Sequence, residues 1–118
     1  MKLKPQSAKA KGRKLQQMVR DSILNTFPTL HPDDVRSTSM GAGGEDVQLS
    51  FSARLTFPYV VECKNRASMA VYKDFDQATA HNPAWEPLLV IKQNGRAPLA
   101  VINFDHFMAM RKLLEEKK

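Results

Sequence analysis

Between Asp46 and Lys64 the sequence alternates between apolar and polar residues in two short runs. Successive side chains of a β-strand point to opposite faces of a sheet, so the alternation predicts two half-buried strands, Asp46–Ser52 and Thr56–Lys64. In the first run, the polar residues would share one face with Asp46. The residues predicted to face the core are Val47, Leu49 and Phe51.

A hairpin turn near Arg54 would place Asp46 opposite Glu62, because the two positions are equally distant from residue 54. Glu62 and Lys64 occupy alternate positions of their strand and therefore share a face. Asp46, Glu62 and Lys64 would then form a small patch of two carboxylates and one ammonium group. We predict these three as the catalytic residues. An ordinary half-exposed strand with paired charges is the structural alternative.

The positive charge of the chain is concentrated at its N-terminus. Of the 118 residues, those from 1 to 14 contain six cations and no acid, and six is also the formal net charge of the whole chain, so the rest is neutral. Residues 1–11 have few apolar side chains, which predicts a disordered basic arm ahead of a single domain over 12–118. Such an arm suits phosphate contact or serves as a solubilising tail. The candidate substrate-binding cations are Lys9, Lys11, Arg13 and Lys14.

The composition also restricts the cellular setting. No apolar run approaches the ~20 residues of a membrane span, and the N-terminus has no signal-peptide pattern, so no membrane partner is expected. The single cysteine, Cys63, cannot form an intramolecular disulfide, which favours a reducing, cytoplasmic compartment. The three histidines, His31, His81 and His106, lack zinc-ligand spacing and are predicted to be surface or loop residues.

Hydrophobic periodicity along the chain predicts an α/β fold with a mixed central sheet flanked by helices, in the order α-β-β-β-α-β-β-α. Besides the two strands above, the predicted elements are a helix over Gly12–Phe27, a strand over Val35–Met40, a helix over Ser68–Ala80 burying Val71, Phe75 and Ala78, strands over Leu88–Ile91 and Leu99–Phe104, and a helix from Asp105. The dipeptide Asn94-Gly95 predicts a hairpin between the last two strands.

This order of elements, with Asp46 at the start of the second strand and Glu62-x-Lys64 at the end of the third, resembles the PD-(D/E)XK nuclease superfamily. Within it, the small size, the basic lead into the first helix and the segment Arg36–Gly41 are similar to archaeal and phage Holliday junction resolvases. The resemblance implies a metal-dependent DNA endonuclease of DNA recombination, selective for DNA structure and acting as a homodimer on DNA that includes branched forms. It adds Gln17, Arg36, Ser39 and Gln77 as candidate substrate-binding residues.

The cofactor implied by this resemblance is Mg²⁺ or Mn²⁺. Oxygen ligands favour these ions over zinc, and the candidate ligands are Asp46, Glu62 and the backbone carbonyl of Cys63. Lys64 would orient the attacking water and stabilise charge at the phosphate. The resolvases carry a further glutamate in the first helix, where this sequence has Gln16 and Gln17, whose amide oxygens are neutral.

Three other functions fit the same sequence. One is a nickase or repair exonuclease of the same fold, and another is a catalytically silent nucleic-acid-binding module. A third is a protein-interaction domain that uses Phe107–Met110 of the last helix. That helix or the strand before it is also the predicted dimer surface. The resemblance implies a location in the cytoplasm of a prokaryote or of a phage-infected cell.

Overall fold

A mixed sheet of five strands runs through the described residues, 7–38 and 44–118, in a computed structural model of the chain. The helices are α1 (Ala8–Thr26), α2 (Phe51–Thr56), α3 (Val71–His81) and α4 (Phe104–Glu116), with a 3-10 turn at Pro32–Asp34. The strands are β1 (Val35–Ser37), β2 (Val47–Leu49), β3 (Tyr59–Asn65), β4 (Glu86–Lys92) and β5 (Leu99–Val101). These elements confirm the predicted α/β class with a mixed sheet and flanking helices.

The strands lie side by side in the order in which they occur along the chain. β3 and β4 are parallel and are joined through α3, whereas the other neighbouring pairs are antiparallel. The turn between β4 and β5 contains Asn94-Gly95, and Gly95 has a φ of +71°, a conformation that favours glycine. The hairpin predicted from that dipeptide is therefore confirmed.

Apolar residues cover both faces of the sheet. On one face, Leu15 and Ile23 of α1 pack with Val47, Val61 and Val90 in one buried cluster. Side chains alternate along a strand, so the buried residues next in sequence to these, Val60 and Leu89, face the opposite side, where Ala78 of α3 is also buried. The sheet thus lies between α1 and α3, and the middle strand, β3, is buried on both faces.

The predicted hairpin near Arg54 is wrong, because a short helix, α2, connects β2 to β3. The hydroxyl of Ser50 accepts a hydrogen bond from the Ala53 backbone N–H at 3.1 Å and so caps the first turn of that helix. Phe51 lies on α2 and is exposed, whereas the sequence pattern placed it in the core. The register of the two strands is nevertheless the predicted one, since Val47 pairs with Val61.

Other boundaries also differ from the predictions. α1 begins at Ala8, where Ser7 accepts a hydrogen bond from Ala10, so the last four residues of the predicted disordered arm are helical. Val71, predicted to be buried, is exposed at the start of α3. Residues 1–6 and 39–43 lie outside the described residues, so the prediction for Ser39 falls there. Within the described part of the chain, no helix is long and apolar enough to cross a membrane.

A nearly buried ion pair fixes the chain just before Asp46. Arg54 donates from Nη2 to Glu45 Oε1 at 2.6 Å and from Nη1 to the Tyr59 carbonyl at 3.2 Å. The two charged side chains are only 10% and 14% exposed. The guanidinium also lies 5.6 Å from the centre of the Trp85 ring. Arg54 therefore links the segment before β2 to the start of β3, the two parts of the chain that carry Asp46 and Glu62.

Replacing Arg54 by methionine should lower the free energy of unfolding by about 3 kcal/mol, because the Glu45 carboxylate would stay buried without a partner. Urea denaturation at pH 7.5 measures this change. The double variant Arg54→Met with Glu45→Gln should recover part of the loss, since it removes the unpaired charge. A single variant as stable as the wild type would show that the ion pair does not hold this part of the fold.

Candidate active site

Asp46 lies where β2 separates from β3. Its backbone N–H donates to the Val61 carbonyl at 3.1 Å, and its carboxylate oxygen Oδ2 accepts from the Cys63 backbone N–H at 2.7 Å. In an extended strand the N–H and C=O groups of one residue point to the same side, so the Cys63 carbonyl also faces the gap in which Asp46 lies. The structure thus brings the Asp46 carboxylate and the predicted carbonyl ligand together.

Glu62 comes directly after Val61, the residue of β3 that pairs with Val47 of β2, and it is almost fully buried. Its Oε1 lies 3.3 Å from Lys64 Nζ, which confirms that the two side chains share a face. Its Oε2 is 3.1 Å from Nε2 of His81 at the end of α3, but no group in the described parts of the chain makes a hydrogen bond of good geometry to this oxygen. His81 therefore contacts this oxygen without a well-formed hydrogen bond, so the buried carboxylate is less well satisfied than such groups normally are.

The pKa of Glu62 is raised from 4.5 to about 7, chiefly by burial and also by the nearby Asp46 carboxylate, against the lowering effects of Lys64 and His81. Two carboxylates this close repel each other unless a proton or a cation lies between them. The Cys63 thiol is also buried, but it has a different role. Burial raises its pKa, and the side chain packs in the core cluster, so the sulfur stays protonated and takes no part in the site.

The two helices that cover the sheet complete an open cleft of about 400 Å³ around these groups. From α1, Gln16 is only 8% exposed, lines the cleft, and has an amide oxygen with no hydrogen-bond partner among residues 7–38 and 44–118. From α3, Gln77 and His81 line the opposite wall. The neutral amide of Gln16 therefore belongs to the α1 side chain that lines the cleft together with Asp46 and Glu62.

The groups that converge on the cleft fit a divalent cation with oxygen ligands. These groups are the carboxylates of Asp46 and Glu62, the Cys63 carbonyl and the Gln16 amide oxygen. Within the described ranges, no three His, Cys, Asp or Glu side chains are arranged to hold a metal ion by themselves. The set of ligands would therefore depend on neutral oxygens and water as well as on carboxylates, as Mg²⁺ and Mn²⁺ sites do.

The predicted substrate-binding residues separate into two groups. Gln77 lines the cleft, and Lys11 and Lys14 line a depression beside it. The others do not reach the cleft: Lys9 and Arg13 are exposed on α1, Gln17 lines a different shallow surface with Asp21, and Arg36 is exposed with its guanidinium 3.9 Å from Asp33. The prediction that Gln17 and Arg36 belong to the site is therefore not supported by the structure.

Sequence reasoning missed His81, which was assigned to the surface or to a loop. The side chain is 23% exposed and contacts Glu62. Its position could have been found, because His81 follows Gln77 by four residues and such pairs share a helix face. The other two histidines also make specific contacts: His106 Nε2 lies 2.6 Å from the Tyr59 hydroxyl, and His31 caps the 3-10 turn.

Comparison of the chain with protein-family models, with curated proteins and with solved structures gives no match. The resemblance to the PD-(D/E)XK nucleases therefore remains a prediction from the quoted residues.

Replacing Glu62 by glutamine should stabilise the metal-free protein at high pH. In the wild type, the folded state binds the Glu62 proton more tightly than the unfolded chain does. The stability that the wild type gains from this proton is complete below about pH 4.5 and is lost as the pH rises through about 7, whereas glutamine stays neutral at every pH. At about 1.4 kcal/mol per unit of pKa, a rise from 4.5 to about 7 corresponds to a gain of about 3 kcal/mol for the variant over the wild type at pH 8. Urea denaturation in EDTA at pH 5 and pH 8 tests this, and a gain that is equal at both pH values would contradict it.

Proposed function

We propose that this protein is a metal-dependent endonuclease that hydrolyses phosphodiester bonds in DNA at the cleft between α1 and α3. The observation that carries the proposal is the buried Glu62 carboxylate, which lies in one cleft with Asp46 and Lys64. Its Oε2 lies 3.1 Å from His81 Nε2 but makes no hydrogen bond of good geometry among the described residues. Holding the half-buried Asp46 carboxylate near the buried Glu62 carboxylate is unfavourable for folding, and a divalent cation would offset that cost. Cationic side chains beside the cleft are suited to contact with the phosphates of a nucleic acid.

The chain's own groups have separate roles in this reaction. Asp46, Glu62 and the Cys63 carbonyl would hold the cation, and Gln16 would add a neutral oxygen. When bound, a divalent ion supplies charge relief at the phosphoryl oxygens and makes a coordinated water more acidic. Lys64, whose ammonium lies 3.3 Å from Glu62, orients the attacking water and stabilises the negative charge that develops on the phosphate.

A homodimer would supply the two cuts that symmetrical processing of branched DNA requires, and α4 provides a surface for it. No residue of α4 is buried in the single chain. Its outer face carries exposed apolar side chains at spacings of three, four and seven residues, which we call the α4 stripe and which consist of Phe104, Phe107, Met108 and Leu114. Such an apolar face on a helix fits an isologous interface, in which the same stripe of a second copy covers it.

Incubation of the protein with supercoiled plasmid, linear duplex and four-way-junction DNA tests the proposed activity. We expect cleavage with Mg²⁺ or Mn²⁺ and none with EDTA, with faster cutting of the junction than of the linear duplex. Cleavage at an undiminished rate in EDTA would contradict the metal-dependent mechanism. Cutting of all three substrates at one rate would support nuclease activity but contradict selectivity for branched DNA. That result would favour a nickase or an exonuclease.

A catalytically silent nucleic-acid-binding module is the second candidate, and one observation favours it. The helix residue that reaches the carboxylates is the neutral Gln16 rather than an acid, so the site has fewer negative charges with which to hold a cation. The same incubation separates the two, because a silent module would bind DNA and leave all three substrates intact with either ion. Both functions require a compartment that contains DNA, in agreement with the predicted cytoplasm of a prokaryote or phage-infected cell.

A further inference from the structure

A second depression, of about 280 Å³, opens beside the cleft and is lined by cations. Lys11 and Lys14 come from α1, and Lys92 comes from the end of β4. Asn94 and Gly95 of the β4–β5 turn close the other side. We call this group the lysine depression. Three separate segments of the chain contribute to it, so the folded structure brings together charges that are far apart in the sequence.

The charges of the lysine depression are not neutralised within the protein. No acidic side chain lines it, and none of its three lysines lies within salt-bridge distance of a carboxylate in the parts of the chain that the structure describes. Like charges that line one depression raise the local potential, and an anion bound there would lower the energy. The site therefore has the electrostatic character of a phosphate-binding site.

Hydrogen bonds hold the turn that forms one wall of this depression. The side chain of Gln93 donates to the Ala67 carbonyl at 2.7 Å, and the Arg66 backbone N–H donates to the Lys92 carbonyl at 3.1 Å. Both bonds join the end of β4 to the segment that follows β3. Lys92 and Asn94 are thus held in a constant position relative to β3, which carries Glu62 and Lys64.

Asn65 joins the lysine depression to the cleft, because its side chain lines both. Its Oδ1 is buried without a hydrogen-bond partner among the described residues. A nucleic-acid strand that passes over Asn65 would contact both sites.

We infer that the lysine depression is a subsite for a backbone phosphate of the DNA strand being cut, next to the phosphate in the cleft. The inference rests on the proposed function and adds the path of the substrate. The strand would run from the cleft over Asn65 to Lys92 and α1. Binding at this position would come from charge and would not depend on base sequence.

The test compares two triple variants with the same change in net charge. The first removes the depression's cations by Lys11→Gln, Lys14→Gln and Lys92→Gln. The matched control removes three lysines that line neither site, by Lys73→Gln, Lys112→Gln and Lys117→Gln. Binding of a fluorescent duplex is followed by anisotropy in EDTA at several salt concentrations, so that no cleavage occurs. Each lost phosphate contact flattens the slope of log K against log salt by ~0.9. The slope should therefore become shallower by about 2 to 3 in the first variant and by less than about 0.5 in the control.

The outcomes of this test separate the subsite from the nuclease activity. Equal slopes in the two variants, or no binding of duplex by the wild type in EDTA, would overturn the subsite. If the slope is flattened in the first variant but the wild type leaves DNA uncut with Mn²⁺, the subsite is supported and the proposed function is contradicted. If both hold, cleavage by the first variant should show a raised KM with kcat within about twofold of the wild type, because uniform binding is lost without loss of transition-state stabilisation.

Discussion

The variants Asp46→Asn, Glu62→Gln and Lys64→Met should each cut DNA about a thousandfold more slowly than the wild type. Each removes one charge from the cleft without a large change in volume, and the lost stabilisation applies to charge that develops only at the phosphate in the transition state. DNA affinity in EDTA should stay within a few-fold of the wild type. Single-turnover cleavage of a supercoiled plasmid with Mg²⁺, at enzyme in excess over DNA, measures the rate.

The matched control for these variants is Asp76→Asn on α3. Asp76 is exposed and does not line the cleft. The change therefore removes one negative charge from a residue close to the site in sequence and leaves the charge of the cleft itself unaltered. This variant should cut at the wild-type rate. Wild-type rates in the Glu62→Gln protein would contradict the assignment of the active site, and a slow Asp76→Asn protein would show that net charge alone accounts for the loss.

Placing charges on the α4 stripe should separate the proposed dimer into monomers. The double variant Phe107→Asp with Met108→Asp replaces two central apolar residues, and a loss of about 2 kcal/mol for each weakens association by about a thousandfold. Light scattering at micromolar concentration measures the mass. Ala109→Asp is the control, since residue 109 lies on α4 outside the stripe.

The two variants also separate assembly from catalysis. The monomeric double variant should nick a junction-bearing plasmid but fail to make paired cuts in one binding event, whereas Ala109→Asp should retain paired cutting. A wild-type protein that is already monomeric under these conditions would rule the dimer out. A monomer that is fully able to make paired cuts would move the function from a junction resolvase towards a nickase.

The parts of the site that could be predicted from sequence are those set by alternation within a strand. The shared face of Glu62 and Lys64 follows from a period of two. The pairing of Val47 with Val61 agrees with the predicted register, although the hairpin from which that register was predicted is wrong. The hairpin at Asn94-Gly95 follows from the conformational freedom of glycine. These features depend on local geometry, which a single sequence contains.

The features that could not be predicted depend on contacts between distant parts of the chain. Across Phe51–Thr56 the pattern predicts the end of one strand, a turn near Arg54 and the start of the next strand, but the Ser50 cap and the Arg54–Glu45 ion pair stabilise the segment as a helix. Gln16 and Gln17 are equivalent in the sequence, and only the packing of α1 on the sheet determines that Gln16 reaches the cleft. The lysine depression likewise requires the positions of α1 and β4 in space.

A titration with Mn²⁺, in which bound ion and cleavage rate are followed in the same samples, tests most directly whether the Asp46 and Glu62 carboxylates hold the ion that hydrolysis needs. Electron paramagnetic resonance reports the free ion, and nicking of a supercoiled plasmid reports the rate. We expect binding and rate to saturate over the same Mn²⁺ concentrations in the wild type, and both to be lost in Glu62→Gln. Cleavage by the wild type without Mn²⁺ binding, or unchanged Mn²⁺ binding in Glu62→Gln, would contradict the account.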